Sequence, residues 1–207
     1  MSLEATMARP PDPDLEKRIL DAAQKLWRKD GTKALTMRAV ARAADTNTPA
    51  VYRRFRDRRD LVRALLRRSQ QEFGSILGTC RSVEEAAAAY LRHALARPHE
   101  YELFYQYISE LSRPDPSGRP PSLKESRPNF VVLERMLSEE LGGAPQDHRR
   151  LALSLWALMH GTATLLLWKA VPPGQEAALR SVFAAAVRAM LRDPFSSSIR
   201  KARGSRA

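Results

Sequence analysis

Apolar side chains recur along this chain at three- and four-residue intervals, in segments parted by proline, glycine and short polar turns, which is the period of helices. A first helix is predicted from about Asp14 to Lys29, with Leu15, Ile19, Ala22, Ala23, Leu26 and Trp27 at helical spacing and Gly31 as its stop. Leu35 leads into Thr36, a cap for a short helix carrying Met37, Val40, Ala41 and Ala44. Asp45-Thr46-Asn47 breaks the pattern, and Asn47 caps a second short helix with Pro49 in its first turn, where a missing N–H costs nothing. Val51, Tyr52 and Phe55 follow among Arg53, Arg54 and Arg56. Two short helices across a tight turn, the second with a basic face, outline a helix-turn-helix.

A fourth helix is predicted from an Asp57 cap to Leu77, a rod of roughly 30 Å at 1.5 Å per residue. Further helices are expected at about 83–97, 99–111, 129–141, 147–171 and 175–191, with 113–128, which holds five prolines, as a long loop. The 147–171 segment is apolar on nearly every face and must be covered on nearly all sides. No alternation of strand type and no repeat period is present. The expected fold is all-α. A helix-turn-helix head (14–68) is joined by the long fourth helix to a helical body (69–192), with a loose proline-bearing arm before it and a basic flexible tail (193–207) after.

Composition sharpens this outline. The 207 residues carry a net charge of +12. Residues 1–68 hold 17 Lys/Arg against 9 Asp/Glu, and 69–207 hold 18 against 14, so most of the excess lies in the head. That favours a polyanionic partner there. Cys80 is the single cysteine, which rules out an intrachain disulfide. His93, His99, His148 and His160 show no tight ligand spacing, so no metal and no cofactor is expected. The beginning of the chain lacks an apolar leader, and the run Ala163–Trp168 is far too short to span a membrane. A cytoplasmic, non-membrane protein is the resulting expectation.

The order Ile19-Leu20-Asp21-Ala22-Ala23, Leu26, Gly31, Leu35-Thr36-Met37-Arg38-Ala39-Val40-Ala41, Val51-Tyr52-Arg53-Arg54-Phe55, Arg58, Asp60 and Leu61 resembles the frame of the TetR family of bacterial transcriptional regulators. The likeness runs from Arg18 to about Leu66. It implies a three-helix DNA-binding head on a ligand-binding, dimer-forming helical body. Trp156, His160 and Gly161 are similar to a Trp-His-Gly signature of one C-terminal class of that family. The sequence departs from the frame in the turn. Asp45 stands where glycine is usual, Thr46 where an apolar residue is usual, and Pro49 where glycine or alanine is frequent.

In a major-groove reading, Thr48 and Pro49 form the tip of the recognition helix, beside Asn47. Arg53 is placed for direct readout, since a guanidinium can bind guanine O6 and N7 together. The resemblance gives Tyr52 a phosphate contact, and Thr36, Arg38 and Arg58 are expected as backbone clamps. Val40, Val51 and Phe55 are expected in the small core of the head.

For the body, His93, Phe104, Tyr105, Trp156, His160 and Thr164 are the candidate ligand pocket, with Tyr107 a further aromatic and Leu133 and Leu137 as walls. Aromatic rings with a few polar tips suit a modest, mostly apolar ligand. Gly161 suggests close backbone packing, near Trp156 or across a dimer. Leu179, Val182, Phe183, Ala186, Val187 and Met190 form a broad apolar face expected to make the dimer interface. By the resemblance, a small-molecule effector would release a homodimeric repressor from an inverted-repeat operator, with the fourth helix as lever. An all-helical enzyme, for which no nucleophile–base or phosphate-loop pattern is present, and a non-specific basic DNA-binding protein are the alternatives. Activation rather than repression also stays open.

Overall fold

The computed structural model describes residues 13–115 and 117–192, and all regular elements among them are helices. The expected arm before residue 13 and the basic tail at 193–207 lie outside the described residues. The chain divides between Leu65 and Leu66 into two compact units.

The first unit holds α1 (Leu15–Asp30), α2 (Met37–Ala43), α3 (Thr48–Arg54) and the start of α4 (Arg58–Leu77). Ile19, Ala23, Trp27, Leu35, Val40, Val51, Leu61, Val62 and Leu65 are fully enclosed, and Phe55 nearly so. Local chemistry sets each boundary. The Thr36 hydroxyl accepts from the Ala39 N–H at 3.1 Å, and Asn47 Oδ1 accepts from the Ala50 N–H at 2.8 Å. Asp57 Oδ1 accepts from the Asp60 N–H at 2.8 Å at the head of α4. Between α2 and α3 the chain turns through Asp45 at φ +50°, with the Thr46 N–H reaching back to the Ala41 carbonyl at 3.0 Å. This is the left-handed helix end in which glycine is commonest, and aspartate tolerates that backbone better than most residues. The short 3-10 turn Thr32–Ala34 was not foreseen.

The second unit comprises the rest of α4, α5 (Val83–Ala96), α6 (Pro98–Tyr107), α7 (Leu123–Ser126), α8 (Pro128–Leu141), α9 (Arg149–Leu167) and α10 (Glu176–Arg192). Its core joins Val83, Ala87, Leu91, Leu133, Leu137, Leu155, Met159, Ala163, Phe183 and Val187. Ser82 caps α5, and Glu140 accepts the Val83 N–H at 2.9 Å. Buried Glu134 on α8 receives the guanidinium of Arg149 at 2.7 Å, fixing the start of α9.

Two expectations about this unit are corrected. The 113–128 loop contains a helical turn, α7, closed by a capping box between Ser122 and Glu125. The long apolar segment is shorter than 147–171, because residues 145–148 form a 3-10 turn and α9 stops at Leu167. The chain by itself covers one side of α9. Ala152, Leu155, Met159, Thr162 and Ala163 are buried, while Leu153 and Leu165 are exposed. Pro145–Leu167 is long and apolar enough to cross a membrane by length and composition, a property that the core helix of a helical domain shares.

The expected dimer face divides as well. Phe183 and Val187 sit in the core of the unit itself, and Leu179, Ala186 and Met190 are half-buried at its edge. Of the six residues only Val182 is exposed, at 62 %. Ala178, Ala185 and Ala189 continue its stripe at helical spacing and are likewise exposed. On α9, a side chain added at Gly161 would meet nothing within 4 Å among the described residues, so no close packing surrounds it there.

Candidate functional site

The end of α2, the turn and the start of α3 enclose a shallow hollow lined by Arg38, Ala41, Arg42, Asp45, Thr46, Asn47, Thr48 and Pro49. Four of the expected nucleic-acid contacts, Arg38, Asn47, Thr48 and Pro49, therefore come together. Buried Ala50 and Val51 turn the inner side of α3 to the core and leave Pro49, Tyr52 and Arg53 outward. The Tyr52 ring is 51 % exposed rather than packed. Thr36 is exposed at the start of α2, its oxygen accepting the cap bond and its hydroxyl proton still able to donate. The side chains of Arg38, Arg42 and Arg53 have no hydrogen-bond or ion-pair partner among the described residues.

Arg58 departs from the expected clamp. Its guanidinium points inward, donating from Nε to the Leu35 carbonyl at 2.8 Å and from Nη2 to the Thr32 carbonyl at 2.9 Å. It holds the lead-in to α2 in place, adding a second bond to the Thr32 carbonyl, which already accepts the Leu35 N–H at 3.2 Å, and one to the Leu35 carbonyl. Arg42 was missed, although its position one turn after Arg38 puts both on one face of α2.

In the second unit, α4, α5, α6, α8 and α9 line a cavity of about 240 Å3. His93, Phe104, Tyr105 and Trp156 line it as expected, with Leu133, and so do Phe73, Tyr90, Glu100, Tyr101, Arg127 and Phe130. His160 and Thr164 do not. They stand behind Tyr101, whose hydroxyl meets His160 Nδ1 and Thr164 Oγ1 and donates to the His160 carbonyl at 3.1 Å. Leu137 is fully enclosed in the core rather than a wall.

The polar tips form one connected set. The Tyr105 hydroxyl lies 2.5 Å from that of Tyr90 and receives the Trp156 indole N–H at 3.3 Å. The Tyr105 ring packs on the His160 ring with centroids 3.8 Å apart. Burial pushes Tyr101 up to about 12 and also raises Tyr90 and Tyr105, so all three phenols stay protonated at neutral pH. Burial lowers His160, which favours the neutral ring. Glu100 is 2 % exposed and faces Arg97 Nη1 at 3.9 Å. Its sequence signal is its place one turn before Leu103 and Phe104, on the inner side of α6. Among the described residues no group of three or more His, Cys, Asp or Glu side chains is arranged to hold a metal.

A head built this way is a helix-turn-helix, and comparison with known proteins agrees. Residues 19–65 match the family model "Bacterial regulatory proteins, tetR family", and residues 83–190 match "Tetracyclin repressor-like, C-terminal domain". The chain belongs to the TetR family. It is 41 % identical over 61 residues to the uncharacterized HTH-type transcriptional regulator YvkB of Bacillus subtilis (strain 168), a stretch covering 30 % of this chain and about a third (32 %) of that relative. Its fold is similar to a protein of unknown function from Rhodococcus sp. RHA1 (TM-score 0.68, 23 % identity, 89 % of this chain and 98 % of that one). It is also similar to the solved structure of SCO4313 (TM-score 0.66, 22 % identity, 89 % and 100 % coverage).

Proposed function

We propose that this chain is a homodimeric, sequence-specific transcriptional repressor of the cytoplasm. In this reading its two heads bind an inverted-repeat operator, and a small, mostly apolar effector in the body cavity releases it. The observation that carries the DNA reading is the face of α2 and α3, where Arg38, Arg42 and Arg53, without a partner among the described residues, stand beside outward Tyr52 and the Thr48–Pro49 tip. Thr48, Pro49 and Arg53 would face base edges, and Thr36, Arg38, Asn47 and Tyr52 the backbone. The aromatic cavity supports the effector. The outward stripes of α9 (Ala157, Gly161, Leu165) and α10 (Ala178, Val182, Ala185, Ala189) support pairing through a four-helix contact across a two-fold axis. Effector and operator then compete through linkage: a ligand that binds better to the DNA-free form lowers DNA affinity by the same factor.

The test is a titration of the purified chain on a duplex recovered from its source genome, against a scrambled duplex of equal composition, in a salt series. A sequence-specific repressor prefers the recovered duplex by roughly a thousandfold or more. Equal affinities that fade together with salt would replace this reading with non-specific binding by charge.

A further inference from the structure

We propose that the cavity is built for a carboxylate on an apolar body, and that Arg127 is the residue that receives the anion. The inference rests on the effector reading of this cavity. Arg127 lines the cavity, half-buried where α7 passes into α8. One of its N–H groups donates to the neighbouring Ser126 carbonyl at 2.8 Å, and no carboxylate pairs with it among the described residues. Burial pushes its titration downward, so the charge is held there at a cost that no ion pair among the described residues offsets. The Tyr105 phenol lies close enough for each group to act on the titration of the other, and it stays protonated as a second donor. An entering carboxylate would take the guanidinium fork and the phenol together.

The cavity favours this sign of charge. Glu100, the acidic side chain of its lining, already faces Arg97, which also lies 3.5 Å from Glu72. A cation would meet a partnered carboxylate and the unpaired charge of Arg127. The remaining walls, among them Phe73, Phe104, Phe130, Met136 and Trp156, take an apolar body. A space of about 240 Å3 suits a bicyclic aromatic or a medium-length alkyl chain.

The experiment is calorimetric titration of the full chain with 2-naphthoate, 2-naphthamide and 2-naphthylmethylammonium, and with decanoate and decanamide. Wild type, Arg127→Gln, Arg127→Lys and Glu100→Gln are compared. The expected result is that each acid binds at least about tenfold tighter than its amide, as a charge-assisted bond predicts. Arg127→Gln then removes that preference while amide affinity holds, which shows the cavity intact, and Arg127→Lys retains part of it. Amide as tight as acid in wild type overturns the anion proposal alone, as does an acid preference that survives Arg127→Gln. An ammonium that binds best, and is lost in Glu100→Gln, overturns it in favour of the opposite charge. No binding by any of the five probes overturns both the anion proposal and the effector reading on which it rests.

Discussion

Val182 and Phe183 are neighbours on α10, one outward and one in the core, so under the proposed dimer truncating each should fail differently. Phe183 is 5 % exposed in the core of the second unit, and Val182 is 62 % exposed. Phe183→Ala opens a cavity in that core and should cost about 3–5 kcal/mol of unfolding free energy. Val182→Ala should leave chain stability within about 0.5 kcal/mol, as surface changes do. Its effect belongs to association. Burying a valine side chain fully is worth roughly 1.5 kcal/mol, and the 62 % still exposed scales that to about 0.9. A two-fold interface contains the residue twice, giving about 2 kcal/mol per dimer, or roughly 25-fold in the dimer dissociation constant. Val182→Glu adds two desolvated carboxylates and should leave monomers at micromolar concentration. Sedimentation equilibrium over a concentration series reads the association, and urea unfolding of the monomeric variant reads the chain. An unaltered dimer in Val182→Glu would refute the assignment of the outward stripe. An unaltered urea midpoint in Phe183→Ala would refute the inward placement of its neighbour.

Four further outcomes follow from the geometry. Arg53→Ala should remove roughly 1–3 kcal/mol of discrimination between operator and scrambled duplex, whereas Arg38→Ala should weaken both alike and lower the salt slope by about one; equal loss on every duplex for Arg53→Ala would end its readout role. Arg58→Ala, having lost two charged bonds to carbonyls, should destabilise the head by about 2 kcal/mol in urea unfolding; full stability with uniformly weaker DNA binding would restore it as a clamp. Gly161→Ala should raise helix stability by about 0.5–1 kcal/mol, since nothing among the described residues obstructs the new methyl, and should loosen the proposed dimer if its helices approach closely there; sedimentation of the variant checks the second half. The Arg119 guanidinium, then the Ser122 N–H and hydroxyl, hold Glu125 down to about 2, below its ordinary 4.5. The order this lends to the 119–125 turn is complete above about pH 4.5 and is lost as pH falls through about 2. Carboxyl chemical shifts of Glu125 and exchange of the Ser122 N–H should trace that window.

The head was legible because its signals are local. Thr36 and Asn47 cap the helices that follow them, Asp57 does so for α4, and Asp45 takes the left-handed turn. The reading failed where a side chain is committed far along the chain. Arg58 reaches carbonyls 23 and 26 residues back, and His160 is committed to Tyr101, 59 residues away. Neither separation leaves a mark in the pattern of apolar positions. The division of α10 was hidden for another reason. A helix that packs on its own subunit and on a second copy needs apolar residues on both faces, and periodicity cannot say which face goes where. The α7 turn was lost among five prolines, which mark a loop but not the Ser122–Glu125 box inside it. Arg127, adjacent to Pro128 in that stretch, reads as loop surface until the fold brings it to the cavity wall.

A selection of duplexes bound by the purified protein from random-sequence DNA, with the winners sequenced and retested in a salt series, tests the proposed operator binding most directly. An enriched inverted repeat, its half-sites about one helical turn apart or a multiple of that, is the predicted result. Absence of enrichment from ligand-free protein refolded after denaturation, with binding that simply fades as salt rises, would contradict it.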